Sequence, residues 1–374
     1  MKNNRTFLEK LLDGAEVEWK PLSLVSEMQR GKTITAKSTN EGKIPVISGG
    51  QKPAYYHCES NRDGKTITVA GSGAYAGYIM YWEEPIFVSD AFSIKTDESL
   101  LQIKYVYHFL LQNQQKIYAM KKGSGVPHVY PKDIGTLIIP IPPLPVQTKI
   151  VKILDALTAL TSELTSELIL RQKQYEYYRE KLLSEEELEK VGFEWKTLDQ
   201  ISENLDSKRK PITSGLRTSG KIPYYGASGI VDYVKDYIFD GDFLLISEDG
   251  ANLLARNTPI AFSASGKIWV NNHAHILKFE TYEERRFIEF YLNKIDLTPY
   301  ISGATQPKLN KKNLNSIKFP IPSIPEQQRI VSILDKFETL TNSITEGLPL
   351  AIEQSQKRYE YYRELLFSFN GSNQ

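Results

Sequence analysis

Two long stretches of the chain place apolar residues at helical spacing. From Ile150 the apolar positions step 3, 4, 3, 4 through Ile153, Leu157, Leu160 and Leu164, then four to Leu168, and resume at Tyr175, Tyr178 and Leu182. Such steps draw a heptad seam with one four-residue stutter along one helix face. The second stretch runs through Ile330, Ile333, Phe337, Leu340 and Ile344, then Leu348, Ala351, Tyr359, Tyr362 and Leu366. Gly347 and Pro349 interrupt it. Proline lacks the N–H and clashes with the preceding turn, so a break is expected there, with Pro349 in the first turn of a new helical piece. Ile150 and Tyr175 are 25 residues apart, whereas Ile330 and Tyr359 are 29 apart. The four extra residues amount to about one turn, roughly 6 Å, and fall where a break can absorb them. Two such seams bury each other most readily as an antiparallel pair, which would put globular halves at opposite ends.

Outside the seams the pattern changes. Short β-branched runs at 65–70, 86–89 and 243–247, separated by Gly-rich turns, predict strands. Aromatic clusters at 105–111 and 287–292 predict a helix in each half. Strands with few helices predict an α+β fold.

The chain repeats itself. YEYYRE occurs at 175–180 and at 359–364, and PIPPLPVQTKIVKILD from Pro140 recurs as PIPSIPEQQRIVSILD from Pro320, an offset of 320 − 140 = 180 residues in a chain of 374. That period is too long for a solenoid and implies one module built twice. Glu18-Trp19-Lys20 recurs as Glu194-Trp195-Lys196, and Lys43-Ile44-Pro45 as Lys221-Ile222-Pro223. Residues 118–129 match 300–309, with Gly123 over Gly303 and Pro127 over Pro307. Glu9-Lys10-Leu11-Leu12 resembles Glu180-Lys181-Leu182-Leu183, so the N-terminus reads as the tail of a long helix whose body lies at the C-terminus. The chain then has the organisation of a circle cut once, as a pseudo-twofold object would. The expected segments are a first globular half at 1–145, a long helix at 146–184, a second globular half at 185–325, and a second helical segment at 326–370.

Composition adds exclusions. The 41% hydrophobic and 24% charged content is that of a soluble globular protein, and no apolar run reaches membrane-spanning length. The N-terminus lacks the pattern of a secretory leader. A single cysteine, Cys58, excludes an intrachain disulfide and a thiolate metal site. A cytoplasmic location is expected. Net charge is +1, so nucleic-acid binding would require basic residues gathered on one face.

No catalytic constellation emerges. Pro142-Pro143 lacks the preceding Asn or Asp and the following aromatic of an adenine methyltransferase pocket. The glycines from Gly71 to Gly77 are mis-spaced for a dinucleotide loop, and their counterpart Glu248-Asp249-Gly250 would repel phosphates, so a tight turn is expected. There is no P-loop string and no G-x-S-x-G elbow. Among the five histidines, His273 and His275 could share a strand face, but no third metal ligand lies at a recognisable spacing.

The duplicated Pro-rich strings, the doubled YEYYRE and GATQPKL at 303–309 together resemble the specificity (S) subunit of type I restriction-modification systems, over essentially the whole chain. The resemblance implies two target-recognition domains, each reading half of a bipartite DNA site. It also implies two helical regions that set the spacer and dock methyltransferase (M) subunits. It places catalysis elsewhere: two M subunits with S-adenosylmethionine, and two restriction (R) subunits, with Mg2+ and ATP also on partners and no cofactor on this chain. The first half departs from GATQPKL, with Val126 over Gln306 and His128 over Lys308, as expected if the halves read different bases.

Candidate DNA-contacting residues are the polar ones on matched loops: Gly303, Thr305, Gln306, Lys308, Lys311 and Lys312 in the second half, and Lys121, Lys122, Ser124, His128 and Lys132 in the first. Lys208, Arg209 and Lys210 add a basic run, as do Arg30 and Lys32. Glutamine pairs with adenine, and lysine reaches guanine or phosphate. Tyr177 and Tyr361 lie off the seam beside Arg179 and Arg363 and suit a partner-subunit surface. A second reading remains open here: a coiled-coil scaffold with two ligand-binding ends and no nucleic-acid role, which the near-neutral charge favours.

Overall fold

The computed structural model describes residues 6–303 and 305–369. Residues 1–5 of the expected first half, Ala304 of the GATQPKL string and residue 370, the expected end of the second helical segment, lie outside them. The chain divides into two compact units, residues 1–165 with 351–374, and residues 166–350. Each unit therefore contains part of both helical stretches.

Among the described residues the first unit has nine strands: β1 (Glu18–Pro21), β2 (Ser26–Arg30), β3 (Ile44–Ile47), β4 (Tyr55–His57), β5 (Thr66–Ala70), β6 (Ile79–Trp82), β7 (Phe87–Val88), β8 (Ala91–Thr96) and β9 (Ile138–Ile141). They form sheets in the orders β2-β8-β5-β6, β4-β3-β7 and β1-β9. The second unit has β10 (Phe193–Lys196), β11 (Glu203–Asn204), β12 (Ser219–Gly226), β13 (Gly229–Val234), β14 (Phe239–Ser247), β15 (Ala261–Val270), β16 (Ala274–Lys278) and β17 (Phe319–Pro322). Here the two larger sheets are joined, in the order β11-β16-β14-β15-β12-β13, because β14 and β15 extend into a long hairpin. The central strand β5 is buried throughout and β14 over residues 243–247, as their continuous apolar and β-branched runs require.

The repeat is visible residue by residue. Trp19 pairs with Pro140 across β1–β9, and Trp195 with Pro320 across β10–β17. Buried Gln147 donates to Pro142 O at 2.8 Å, and buried Gln327 to Pro322 O at 2.9 Å. Val46 and Ile47 pair in parallel with Phe87 and Val88, as Tyr224 and Tyr225 do with Trp269 and Val270. The aromatic helices run Ile103–Gln112 and Tyr282–Lys294. Each is pinned by the aspartate that closes the ILD string. Asp155 meets Lys104 at 3.0 Å and His108 at 2.9 Å, while Asp335 meets Arg286 at 2.8 Å and the Tyr282 hydroxyl at 2.8 Å.

The first seam is one helix, Leu144–Leu182, of 39 residues. The second is two, Ile324–Asn342 and Gly347–Phe367. The four residues between them equal the four-residue excess, so the break absorbs it. Pro349 sits in the first turn of the new helix, as expected. Ile344 is a correction: it falls in the break and is 79% exposed, while buried Thr341 ends the seam. Leu160 and Tyr178 are also partly exposed, and Leu154 and Leu334, absent from the predicted seam, are buried. A stripe wider than a/d is needed because these helices pack on the globular core as well as on each other. In the first unit the seam cluster joins Ile150 and Ile153 to Tyr359, Tyr362 and Leu366. Thr161 and Ser355 share a hydrogen bond at 2.9 Å there. In the second unit Tyr175 and Tyr178 pack on Phe337.

The N-terminal segment is not the tail of a long helix. Phe7–Leu12 is a separate short helix with its own capping box, Thr6 with Glu9. Its counterpart is the Ser184-capped helix Glu185–Val191. Leu8 joins Leu366 and Phe369 in the core cluster of the first unit, so this short helix packs with the last turn of the second helical stretch.

Candidate nucleic-acid interface

In each unit three backbone segments converge at one end of the central strand. In the first unit β5 ends at Ala70, beside Ala91, and the turn Gly71-Ser72-Gly73 follows. Gly71 N–H donates to Asp90 O (3.2 Å), Val129 N–H to Gly71 O (3.0 Å) and Gly73 N–H to Pro127 O (3.0 Å). In the second unit β14 ends at Ser247, beside Ala274, and Glu248-Asp249-Gly250 makes the same three bonds. Glu248 N–H donates to His273 O (2.9 Å), Leu309 N–H to Glu248 O (2.8 Å) and Gly250 N–H to Pro307 O (3.1 Å). Both sequences are thus tight turns, as expected, and each carries the G-x-x-x-P loop.

That loop is a small hairpin. Lys122 and His128 exchange backbone hydrogen bonds at 2.9 and 2.8 Å, and Ser302 and Lys308 at 2.9 and 2.7 Å. Gly123 and Gly303 have φ of +106° and +86°, and a Cβ on either would strike the carbonyl oxygen of Val126 or Gln306. Only glycine closes this hairpin without strain. The third segment follows the IP strings. Ser89 N–H donates to Ile47 O (2.8 Å) and Asn271 N–H to Tyr225 O (3.1 Å). Gly49 approaches Ser72 O too closely for a side chain, and Ala227 O accepts from the Ser247 hydroxyl.

The side chains on this shared backbone differ. In the first unit they surround Tyr130. His128 stacks on its ring at 6.1 Å and 13°, and Arg30 and Lys132 lie 5.5 and 6.0 Å from its centroid, within cation–π range. Ser72 donates to Asp90. In the second unit the position one residue past the Ala91/Ala274 pair holds His275 instead of Phe92. Asp206 lies beside it, accepting from Ile276 N–H at 3.0 Å. Buried His275 meets Asp206 at 2.7 Å and Leu309 O at 2.7 Å. Glu248 is paired with Arg209 at 2.7 Å and Lys308 at 3.2 Å, and Asp249 with His273 at 2.8 Å. Burial opposes ionisation of Asp206 and Glu248, but hydrogen bonds from His275 and Arg209 outweigh it and hold both carboxyls below their ordinary values.

The structure gathers most of the expected residues around the two hairpins. Thr305, Gln306 and Lys308 are exposed on one, and Lys311 and Lys312 on the helix Lys311–Ser316 that follows. On the other, Ser124 is exposed, Lys121 donates to Ala74 O (3.2 Å), and Lys122 is paired with Asp133 (2.8 Å). Lys32 and Lys210 stand at matched places, their N–H groups donating to Val88 O (2.9 Å) and Val270 O (3.4 Å). Lys208 is exposed near Glu203. Arg209 differs from its neighbours: its guanidinium is largely buried on Glu248 and Ala274 O, so it braces the site from within. The sequence reading missed Tyr130, Asp90, Asp206 and Glu248 as site residues. Of these, only Glu248 was named, as the counterpart of the Gly71 turn. Among the described residues no group of His, Cys, Asp and Glu could hold a metal ion, and no helix is long and apolar enough to cross a membrane.

The YEYYRE strings also fold alike. Tyr177 and Tyr361 are 58% and 61% exposed. Arg179 and Arg363 turn inward, over Tyr175 and Tyr359 at 5.6 and 5.1 Å.

Residues 16–171 and 190–354 each match the type I restriction modification DNA specificity domain. The chain belongs to the specificity subunits of type I restriction-modification systems. It is 40% identical to a putative type I restriction enzyme specificity subunit of Haemophilus influenzae, over 99% of this chain and all of that one. It is 33% identical to the EcoR124I/EcoR124II specificity subunit of Escherichia coli, over 97% of each. The crystal structure of the type I restriction-modification S subunit from M. genitalium shares the fold, with a TM-score of 0.66 over 96% of this chain and 98% of that one at 20% identity. The two domain matches of this specificity subunit coincide with its two repeats, and each contains one hairpin-and-turn face.

Proposed function

We propose that each unit of this specificity subunit reads one half of a bipartite double-stranded DNA sequence, and that the two half-sites differ. One observation carries the reading: the same backbone hydrogen bonds hold the two hairpin faces, while the side chains on them diverge in charge and shape. A fixed frame with variable polar groups is what base readout on a common docking geometry requires. Gln306 suits an adenine edge. Lys308, Lys311, Lys312, Lys121, Lys122, Lys132, Lys208 and Lys210 suit guanine or phosphate, and Thr305, Ser124 and His128 supply further polar contacts. Gly303 shapes the loop. The helical stretches set the non-specific spacer, and exposed Tyr177 and Tyr361 dock two M subunits, positioned by Arg179 and Arg363. The chain itself is non-catalytic and holds no cofactor. S-adenosylmethionine, Mg2+ and ATP act on the M subunits and on two R subunits in the full complex, in the cytoplasm.

Exchanging residues 1–140 for the matching half of a relative tests this. With the M partner present, methylation mapping is expected to show one half-site replaced and the other retained. A simultaneous change in both would overturn the modular reading.

A further inference from the structure

One kind of group on these faces is ill suited to DNA backbone. Asp90 and Asp249 are carboxylates at the rim of the hairpin faces, and they occupy matched places by a swap. The backbone bond between Gly71 and Asp90 corresponds to that between Glu248 and His273. In the first unit the acid is on the strand side, Asp90, and its partner Ser72 is on the turn. In the second the acid is on the turn, Asp249, and its partner His273 is on the strand side. Two different sequence positions thus deliver a carboxylate to one place.

The other acids of the second face are already used. Asp206 and Glu248 have side chains only 9% and 11% exposed, taken up by His275, Arg209 and Lys308. Among the described residues the Asp249 side chain, 30% exposed, forms an ion pair with His273 alone. Asp90 is exposed. Among the described residues no lysine or arginine forms an ion pair with either. An ionised carboxylate offers about four acceptor positions, so the hydrogen bond to Ser72 or His273 orients each group and leaves acceptor capacity facing outward.

A carboxylate on a DNA-binding face is repelled by phosphate and has no use for guanine or thymine edges, which present only acceptors and a methyl in the major groove. The donors there are the exocyclic amino groups of cytosine and adenine. We infer that Asp90 and Asp249 are base-reading residues, each accepting a hydrogen bond from a cytosine or adenine amino group in the half-site of its own unit and rejecting the reversed pair by repulsion. The inference rests on the reading of these faces as the DNA interface and names the chemistry of one position in each half-site.

The test uses complexes of the full chain with its M subunit, carrying Asp90→Ala, Asp90→Asn, Asp249→Ala or Asp249→Asn. Each is measured for its methylated motif and for binding to duplexes changed at one recognised position at a time. Asp249→Ala is expected to relax one position of the second half-site by roughly tenfold in discrimination, leaving the first half-site unchanged. Asp90→Ala does the converse. Affinity for unrelated DNA is expected to hold or rise, because a repulsive charge is lost; a merely structural residue would lower binding to all sequences. The asparagine variants, which keep the shape and the neighbouring hydrogen bond, are expected to alter preference at the same positions. Folded variants with every position unchanged, or with all sequences weakened alike, would overturn the inference. If the exchange of residues 1–140 still moves a single half-site in that case, the half-site reading stands and only the carboxylate assignment falls. If the exchange moves both half-sites, the reading itself has failed.

Discussion

Asp206 shows how much of the second face depends on single residues. It accepts from Ile276 N–H, faces His275 at 2.7 Å and lies 3.6 Å from Arg209. Its carboxyl is held below the ordinary value, because the His275 and Arg209 contacts outweigh burial. The folded state therefore binds fewer protons than the unfolded one. The resulting stability is full above about pH 4, the ordinary aspartate range, and is lost as pH falls through the depressed folded-state value. Asp206→Asn removes it. The variant is expected to melt lower at pH 7 by an amount equivalent to roughly 1–3 kcal/mol, with the gap to wild type closing below pH 4. Thermal melts from pH 7 to pH 3 measure this, and a constant gap across the range would contradict it. Such contacts are not legible in sequence. Arg209 reads as part of a DNA-contacting basic run because Glu248, 39 residues away, becomes its partner only through the pairing of β16 with both β11 and β14. Gly303 and Lys308 were legible because the hairpin is local and its glycine is required by its own backbone.

Elements were more legible than residues. The heptad steps located both helical stretches, and the Gly347-Pro349 interruption located the break. Ile344 was misplaced because periodicity continues through a break that backbone geometry imposes, with Gly347 at φ +82° against the Thr339 carbonyl. The joining of the larger sheets in the second unit left no local signal, since it depends on the length of the β14–β15 hairpin. The seam makes a phase-dependent prediction. Deleting four residues between Leu157 and Leu168 removes about one turn, so the apolar face stays near register. That variant is expected to fold and to methylate a site with both half-sites intact and a spacer shorter by one or two base pairs. Deleting two residues turns the downstream face by about 200° and is expected to lower the melting temperature and abolish activity. An active four-residue deletion with an unchanged spacer would show that the helix does not set the distance.

The whole molecule is a duplication whose copies have kept their frame and diverged in their contacts. Trp19 and Trp195 pair with the same proline of their strings, Arg179 and Arg363 cover the same tyrosine, and the hairpins carry the same backbone bonds. Conservation of frame made the fold and the family legible from repeated strings alone. Divergence of contacts is why the recognised bases were not: Tyr130 with Arg30 in one unit and the Asp206–His275–Arg209 network in the other have no common sequence signature. If divergence is the function, the two half-sites must differ. Single-molecule methylome sequencing of a host expressing this chain with its M subunit measures that directly. The account predicts one bipartite motif with two non-identical half-sites and a fixed spacer. A symmetric motif with identical halves, or a single uninterrupted one, would contradict it.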